Sequence, residues 1–300
     1  MRANRYADNA KGFSLIELIV VIVLLGIMSA GAGMLITRPI EAYRDQSRRQ
    51  ELVDLAEISL RKIAADIRAA LPNSIRRDIS TPGKWVLEMV NTVDGARYRD
   101  DFGGVFVTEN DRLTFTLAGD SNFNLLGQFS TLPTTGLPIT YNNFRAVIYN
   151  TDPASIYADA ASSPVNSPGI ISPSGITLSI NAGPPAVHHL NIPQVSGSDF
   201  RFLFQSPSQR MFLVDGPISY VCDSSAGTLT RYNGYAYQAS QPLTFAGANV
   251  GVITSKVSGC NILYQSGTAQ RGGLITIDLS ITSGDETVRL MHQVHVDNVP

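Results

Sequence analysis

Cysteine is nearly missing from this sequence: Cys222 and Cys260 are the only two among 300 residues. Neither belongs to a CxxC pair or a Cys/His cluster, which excludes the usual zinc frameworks. Charge is scarce too, with Lys, Arg, Asp and Glu making up 16% of the chain and a formal net charge of −2. That balance supplies no basic surface for nucleic acid. Internal repeats are lacking, as are the GxSxG, P-loop and HExxH motifs, so no hydrolase, nucleotide or zinc-protease chemistry is signalled.

One long apolar run stands out against this background. Residues 1–12 carry Arg2, Arg5 and Lys11 against a single acid, Asp8. From Phe13 to Thr37 the only charge is Glu17. A helix of about 25 residues, rising about 1.5 Å per residue, spans a bilayer core of about 30 Å. The basic flank predicts a cytoplasmic N-terminal side and an exported body. Glu17 is costly there, by about 2.5–3.5 kcal/mol for a charge at the bilayer centre and less near the edge. A partner is therefore expected for it. Cleavage between Gly12 and Phe13 would create one, because the new α-amino group lies one helical turn from Glu17. The amino terminus of a neighbouring subunit would serve as well.

The segment Lys11-Gly12-Phe13-Ser14-Leu15-Ile16-Glu17 resembles the cleavage and methylation motif of type IV prepilins and type II secretion pseudopilins. The resemblance implies that prepilin peptidase cuts after Gly12 and methylates Phe13, and that Glu17 guides docking into a filament. Other implied partners are major and minor pilins, an inner-membrane assembly platform and membrane lipid. Two further readings stay open. One is a secretory signal peptide cut at Ala30-Gly31-Ala32; the other is a plain anchor in which Glu17 reaches the membrane edge.

Beyond the membrane the helical pattern continues over 38–71. Leu52, Leu55, Ala56, Leu60, Ile63, Ile67 and Leu71 recur at spacings of three and four, and Leu71-Pro72-Asn73 is a stop. Gly26, Gly31, Gly33 and Pro39 interrupt the helix. They mark either a kink or, as the resemblance implies, a segment that melts in the filament.

Residues 72–300 turn to short alternating segments. Gly273–Ile281 and Val288–Val296, separated by Ser283-Gly284-Asp285, predict a β-hairpin. Other expected strands are Lys84–Val90, Arg112–Leu117, Arg145–Tyr149, Phe200–Phe204, Arg210–Val214 and Thr228–Tyr232, with a hairpin turn at Asn233-Gly234. Residues 150–175, rich in Pro, Ser and Ala, read as a surface insertion between lobes at about 72–150 and 176–300. The expected fold is α+β, with the long helix packed on antiparallel sheet.

In an exported body the even pair Cys222 and Cys260 reads as one disulfide, with two buried thiols as the alternative. Closing a loop of about 40 residues, the bridge would contribute roughly 3–4 kcal/mol. The histidines do not suggest a metal site, since His292 and His295 face opposite sides of a strand. His292, beside Leu290 and Val294, is expected in the core. Asp120, Asn122 and Asn124 imitate a calcium loop. However, Leu125 replaces the required glycine and Thr131 the bidentate acid, so a solvated turn is expected, with a calcium site of another geometry as the alternative. Tyr232, Tyr235 and Tyr237 suit cross-strand packing or a sugar platform.

Neither enzyme activity, nor a cofactor, metal or nucleic-acid partner, is expected. Ser219–Asp223 and Thr230–Tyr232 resemble the disulfide region of minor pilins of the PilW and GspJ type. The ending Met291–Pro300 resembles minor pilins of the mannose-sensitive haemagglutinin pilus. The size of the body implies a minor subunit, near the filament tip, that helps initiate or cap the pilus, with a minor pseudopilin or an adhesive tip pilin as alternatives.

Overall fold

A computed structural model describes residues 12–101, 112–116, 120–162, 165–181, 186–194, 199–267 and 272–300, without side-chain description at 33–37 and 181. The expected leader therefore lies outside the described residues, apart from Gly12. The chain divides into two compact units, one ending at Glu51 and one beginning at Leu52. Helix α1, Leu15–Arg68, carries Pro39 within it and contributes to both units.

In the first unit every described side chain from 12 to 32 and from 38 to 51 is exposed. Leu15–Ala32 is long and apolar enough to cross a membrane. Nothing among the described residues of the unit covers this surface, which suits a surrounding apolar medium or other chains.

The second unit opens on the amphipathic part of α1. Leu52, Ala56, Leu60, Ile63, Ala64 and Ile67 are buried, as the three- and four-residue spacing predicts. The helix ends at Arg68, and Asn73 follows with a positive φ of 58°. Asn73 Nδ2 donates to the carbonyls of Asn150 and Asn298, and Asn150 Nδ2 donates to that of Pro72. These bonds tie the helix exit to two distant parts of the chain.

Three antiparallel sheets follow. The largest contains β1 (Arg76–Asp78), β2 (Lys84–Arg97), β8 (Arg210–Asp223), β9 (Thr228–Asn233) and β10 (Asn249–Thr254) in the order β1-β2-β8-β9-β10, with β5 (Arg145–Val147) also paired to β8. A second is β11-β12-β13, built from β11 (Val257–Gln265), β12 (Gly273–Ser283) and β13 (Glu286–Val296). The third joins β3 (Asn122–Asn124), β4 (Ile139–Tyr141), β6 (Ile176–Asn181) and β7 (Val187–Asn191) in the order β3-β7-β6-β4. The fold is thus α+β, as expected.

The main core sandwiches the α1 stripe with two of these sheets. It gathers Trp85, Leu87 and Met89 of β2, Ile218 and Tyr220 of β8, and Ile275, Ile277, Leu279 and Ile281 of β12. A second core lies around the β3-β7-β6-β4 sheet, and a third contains Val90, Val147 and Val214 together with helix α2, Pro153–Ala161.

Several expectations need correction. Residues 150–175 are not a surface insertion: Ile156, Tyr157 and Ala160 of α2 are buried, and so are Ile170 and Ile171. Nor do lobes separate there, because β5 pairs with β8 across it. Residues 112–116 form no strand, and residue 117 lies outside the described residues. Phe200–Phe204 contributes only a bridge at Phe202, its rings being used for a T-shaped contact between Phe200 and Phe202. Asn233-Gly234 opens a longer connection instead of a tight hairpin, since β10 starts at Asn249, paired to Asn233.

Strands β2 and β8 outrun their expected lengths because register shifts at Asn91, Thr92 and Asp94 interrupt the alternation. At this irregularity Asp94 accepts from Thr131 N and Oγ1, both at 2.7 Å, and from Ser130 Oγ and Gly95 N. Burial pushes the Asp94 carboxyl up, but these donors outweigh it and hold it below the usual value of 3.8.

Candidate functional site

The start of α1 brings the expected processing residues together. Gly12, Phe13 and Ser14 precede the helix, and Leu15 is its first residue. Ser14 caps it: the Glu17 amide donates to Ser14 Oγ at 3.2 Å, and the Glu17 and Leu18 amides reach the Ser14 carbonyl. This satisfies amides that an uncapped first turn leaves open. Sequence reasoning missed the role of Ser14, although Ser14-Leu15-Ile16-Glu17 has the serine-to-glutamate spacing of a capping box.

With Ser14 as cap, Phe13 stands just outside the helix in the uncut chain, where it carries no α-amino group. Phe13 is 81% exposed. Among the described residues, the Glu17 carboxylate makes no hydrogen bond and no ion pair. A carboxylate at a helix N-terminus is favoured by the helix dipole, but here it also stands within an apolar, exposed segment.

The two cysteines come from different sheets. Cys222 lies on β8 and Cys260 on β11, and they sit at disulfide distance with Cα atoms 6.5 Å apart. Trp85 is paired across β2–β8 with Cys222.

A polar cluster occupies the face of the large sheet opposite α1. Glu88 is fully buried, and its carboxylate accepts from Arg76 Nε at 2.6 Å and Tyr235 Oη at 3.0 Å. Arg76 also donates to the carbonyls of Gln238 and Ala239. Its guanidinium lies 3.6 Å from the centre of the Tyr157 ring. Burial pushes the Glu88 carboxyl up, against the pull of Arg76 and Tyr235. The cluster fastens the connection after β9 onto the sheet, a structural task.

The remaining expectations disperse. His188 and His189 face opposite sides of β7: His188 Nδ1 accepts from the Phe129 amide, while His189 Nδ1 bonds with Asn124 Oδ1. Burial pulls the His188 imidazole below its usual range. His292 falls on the same side of β13 as the buried Val288, Val294 and Val296. Asn122 and Asn124 are not in a solvated turn but on β3, hydrogen-bonded towards Asn191 and His189. Tyr232 stacks on Phe245 at 4.4 Å, Tyr235 meets the edge of Phe245, and Tyr237 packs near Tyr157. The tyrosines pack on the connection after β9 and on α2, not on one another across strands.

Residues 8–33 match the family described as the prokaryotic N-terminal methylation motif. No curated protein and no solved structure matches the chain. The motif belongs to type IV pilin-like proteins, a structural and non-enzymatic class. It implies processing by prepilin peptidase, assembly with other pilins, and membrane anchoring followed by incorporation into a pilus.

Proposed function

We propose that this chain is a minor type IV pilin of the MshO kind, cut between Gly12 and Phe13, methylated on Phe13, and docked into its filament through Glu17. The observation that supports the pilin part of this reading is the coincidence of the methylation motif over residues 8–33 with a Glu17 that has no partner among the described residues, at the start of an exposed apolar helix. A charge left unpaired in lipid costs about 2.5–3.5 kcal/mol at the centre and less at the edge. A neighbour's α-amino group removes that cost and sets register at the same time.

Before assembly the subunit is held in the inner membrane with its body in the periplasm, where Cys222 and Cys260 oxidise to a disulfide. The large body suits an initiating or capping position near the tip better than every position in a shaft. The signal-peptide alternative is disfavoured because Ala30-Gly31-Ala32 lies inside α1 and the run before it contains Glu17. A type II secretion pseudopilin is the second reading, supported by the likeness of Ser219–Asp223 to the GspJ type; genes neighbouring its own would separate the two.

The test is Glu17→Ala at matched expression. The cleaved, methylated subunit should accumulate in the inner membrane, with several-fold less in sheared filaments. Equal recovery in filaments removes the docking role. Intact mass decides processing independently: residues 1–12 should be lost and one methyl group gained.

A further inference from the structure

The large sheet carries a polar cavity away from the start of α1. It measures about 300 Å³ and is lined by Asn91, Asn143, Asp215, Arg231, Asn233 and Asn249. That size is at the lower end of small-molecule pockets, about 300–1,000 Å³, enough for one sugar ring.

The backbone has been shaped to build it. In the β2–β8 register Asn91 pairs with Gly216 and Thr92 with Val214, which leaves Asp215 as the extra, bulged residue. Gly216 adopts a φ of +142°, a region that favours glycine. The bulge leaves Asp215 exposed, with Oδ1 accepting from Asn91 Nδ2 at 2.8 Å. Arg231 is held from behind, its Nε donating to Asp66 Oδ2 at 2.6 Å, while Asp66 also accepts from Tyr220 Oη. Among the described residues, Asp215 Oδ2 and the side-chain amides of Asn143, Asn233 and Asn249 make no hydrogen bond. Phe144, stacked on Tyr141 at 4.6 Å, completes the wall.

We infer that this cavity binds a neutral pyranose. Its chemistry selects against the other classes. A divalent cation wants several carboxylates, but here a single one stands beside a guanidinium. An anion such as phosphate meets Asp215. An apolar ligand would cover Asp215 Oδ2 and the amides of Asn143, Asn233 and Asn249 without offering them a partner. A sugar ring fits each group: its hydroxyls both donate and accept, matching amides that do the same, a carboxylate that accepts and a guanidinium that donates. Its C–H face packs on Phe144. The inference concerns the body alone and stands whether or not the chain enters a filament.

The experiment uses the full mature chain in a zwitterionic detergent without a sugar headgroup. Methyl glycosides of glucose, galactose, mannose and N-acetylglucosamine are titrated by saturation-transfer NMR, and the same sugars are presented as glycan termini on beads. Saturable binding of at least one methyl glycoside upholds the site for a free sugar. Binding on beads alone upholds it for a glycan terminus. Either should weaken at least tenfold in Asp215→Ala and in Asn143→Ala; the latter alters an exposed residue without hydrogen bonds, so folding is preserved. Trp85 emission verifies the fold of both variants. No saturable binding in either format overturns the inference, as does binding undiminished in both variants, or binding of inorganic phosphate in place of every sugar.

Discussion

Between Leu15 and Ala32, helix α1 presents apolar side chains outward around its whole circumference; between Leu52 and Ile67 it buries one stripe and leaves Glu57, Ile58 and Arg61 outside. The backbone is helical throughout, so the two stretches differ only in what their side chains require. The first has no polar side to turn towards water, and its medium must be lipid or other apolar helices. The second is finished within its own chain, because β2, β8 and β12 cover its stripe. Helix propensity does not distinguish the two; the distribution of charge around the axis does.

The largest expected effect sets the two stretches against each other. Trp85, the only tryptophan, is 2% exposed in the core beside the α1 stripe, so its emission reports the second unit alone. Ile63→Asp buries an unpaired charge and should cost more than about 4 kcal/mol, abolishing the cooperative Trp85 transition. Ile22→Asp should leave that transition in place while weakening membrane insertion by about 2.5–3.5 kcal/mol. Equal damage to the Trp85 signal by both substitutions would erase the contrast.

Next in size is reduction of the Cys222–Cys260 bridge. Denaturant titration followed by Trp85 should show a loss of roughly 3–4 kcal/mol on adding dithiothreitol. Amide exchange in the first stretch should not change. An unaltered midpoint, or both thiols free in peptide mapping, would show that the second unit does not rely on the link.

A smaller effect belongs to the first stretch. Ser14→Ala removes the cap and should cost about 1 kcal/mol there, speeding amide exchange at Glu17 and Leu18 roughly fivefold in micelles. The Trp85 transition should stay put; if it moves, the stretches are coupled.

The smallest effect depends on pH. The Asp94 carboxyl is held below its usual value in the folded chain, so its stabilising contribution is present above about pH 4 and fades as pH falls through the folded pKa. Wild type should lose stability relative to Asp94→Asn on acidification below pH 4, by Trp85-monitored melting. Parallel pH profiles would assign the acid sensitivity to other groups.

Much of this was legible because periodicity survives wherever burial is one-sided. The α1 stripe and the β12–β13 hairpin fall where spacings of 3.6 and two put them, and Ser283 and Glu286 flank the turn as the terminal pair. The methylation motif over residues 8–33 was readable because its residues are contiguous. Helix α2 escaped notice since it is nine residues long, yet its start was written: Asp152 caps it through the Ser155 amide, with Pro153 in the first turn. Asn233-Gly234 misled for a different reason. The chain runs on past the local turn signal to Phe245, which stacks on Tyr232 and meets Tyr235 edge-on. The cavity was unreadable because Asn91, Asn143, Asp215, Arg231 and Asn249 become neighbours only through strand pairing and a bulge.

The sandwiching of the α1 stripe has a consequence in time. Synthesis runs from the N-terminus, so Leu52 to Ile67 are made well before Ile275 to Val296 of their cover. At about 5–20 residues per second, a lag of roughly 230 residues leaves the stripe covered by β2 alone at first and without its β12 cover for tens of seconds. During that interval the nascent subunit displays two sticky surfaces, and only one of them is destined for the membrane. Whatever shelters the second must release it when the β12–β13 hairpin arrives, which makes that hairpin the part that completes the core.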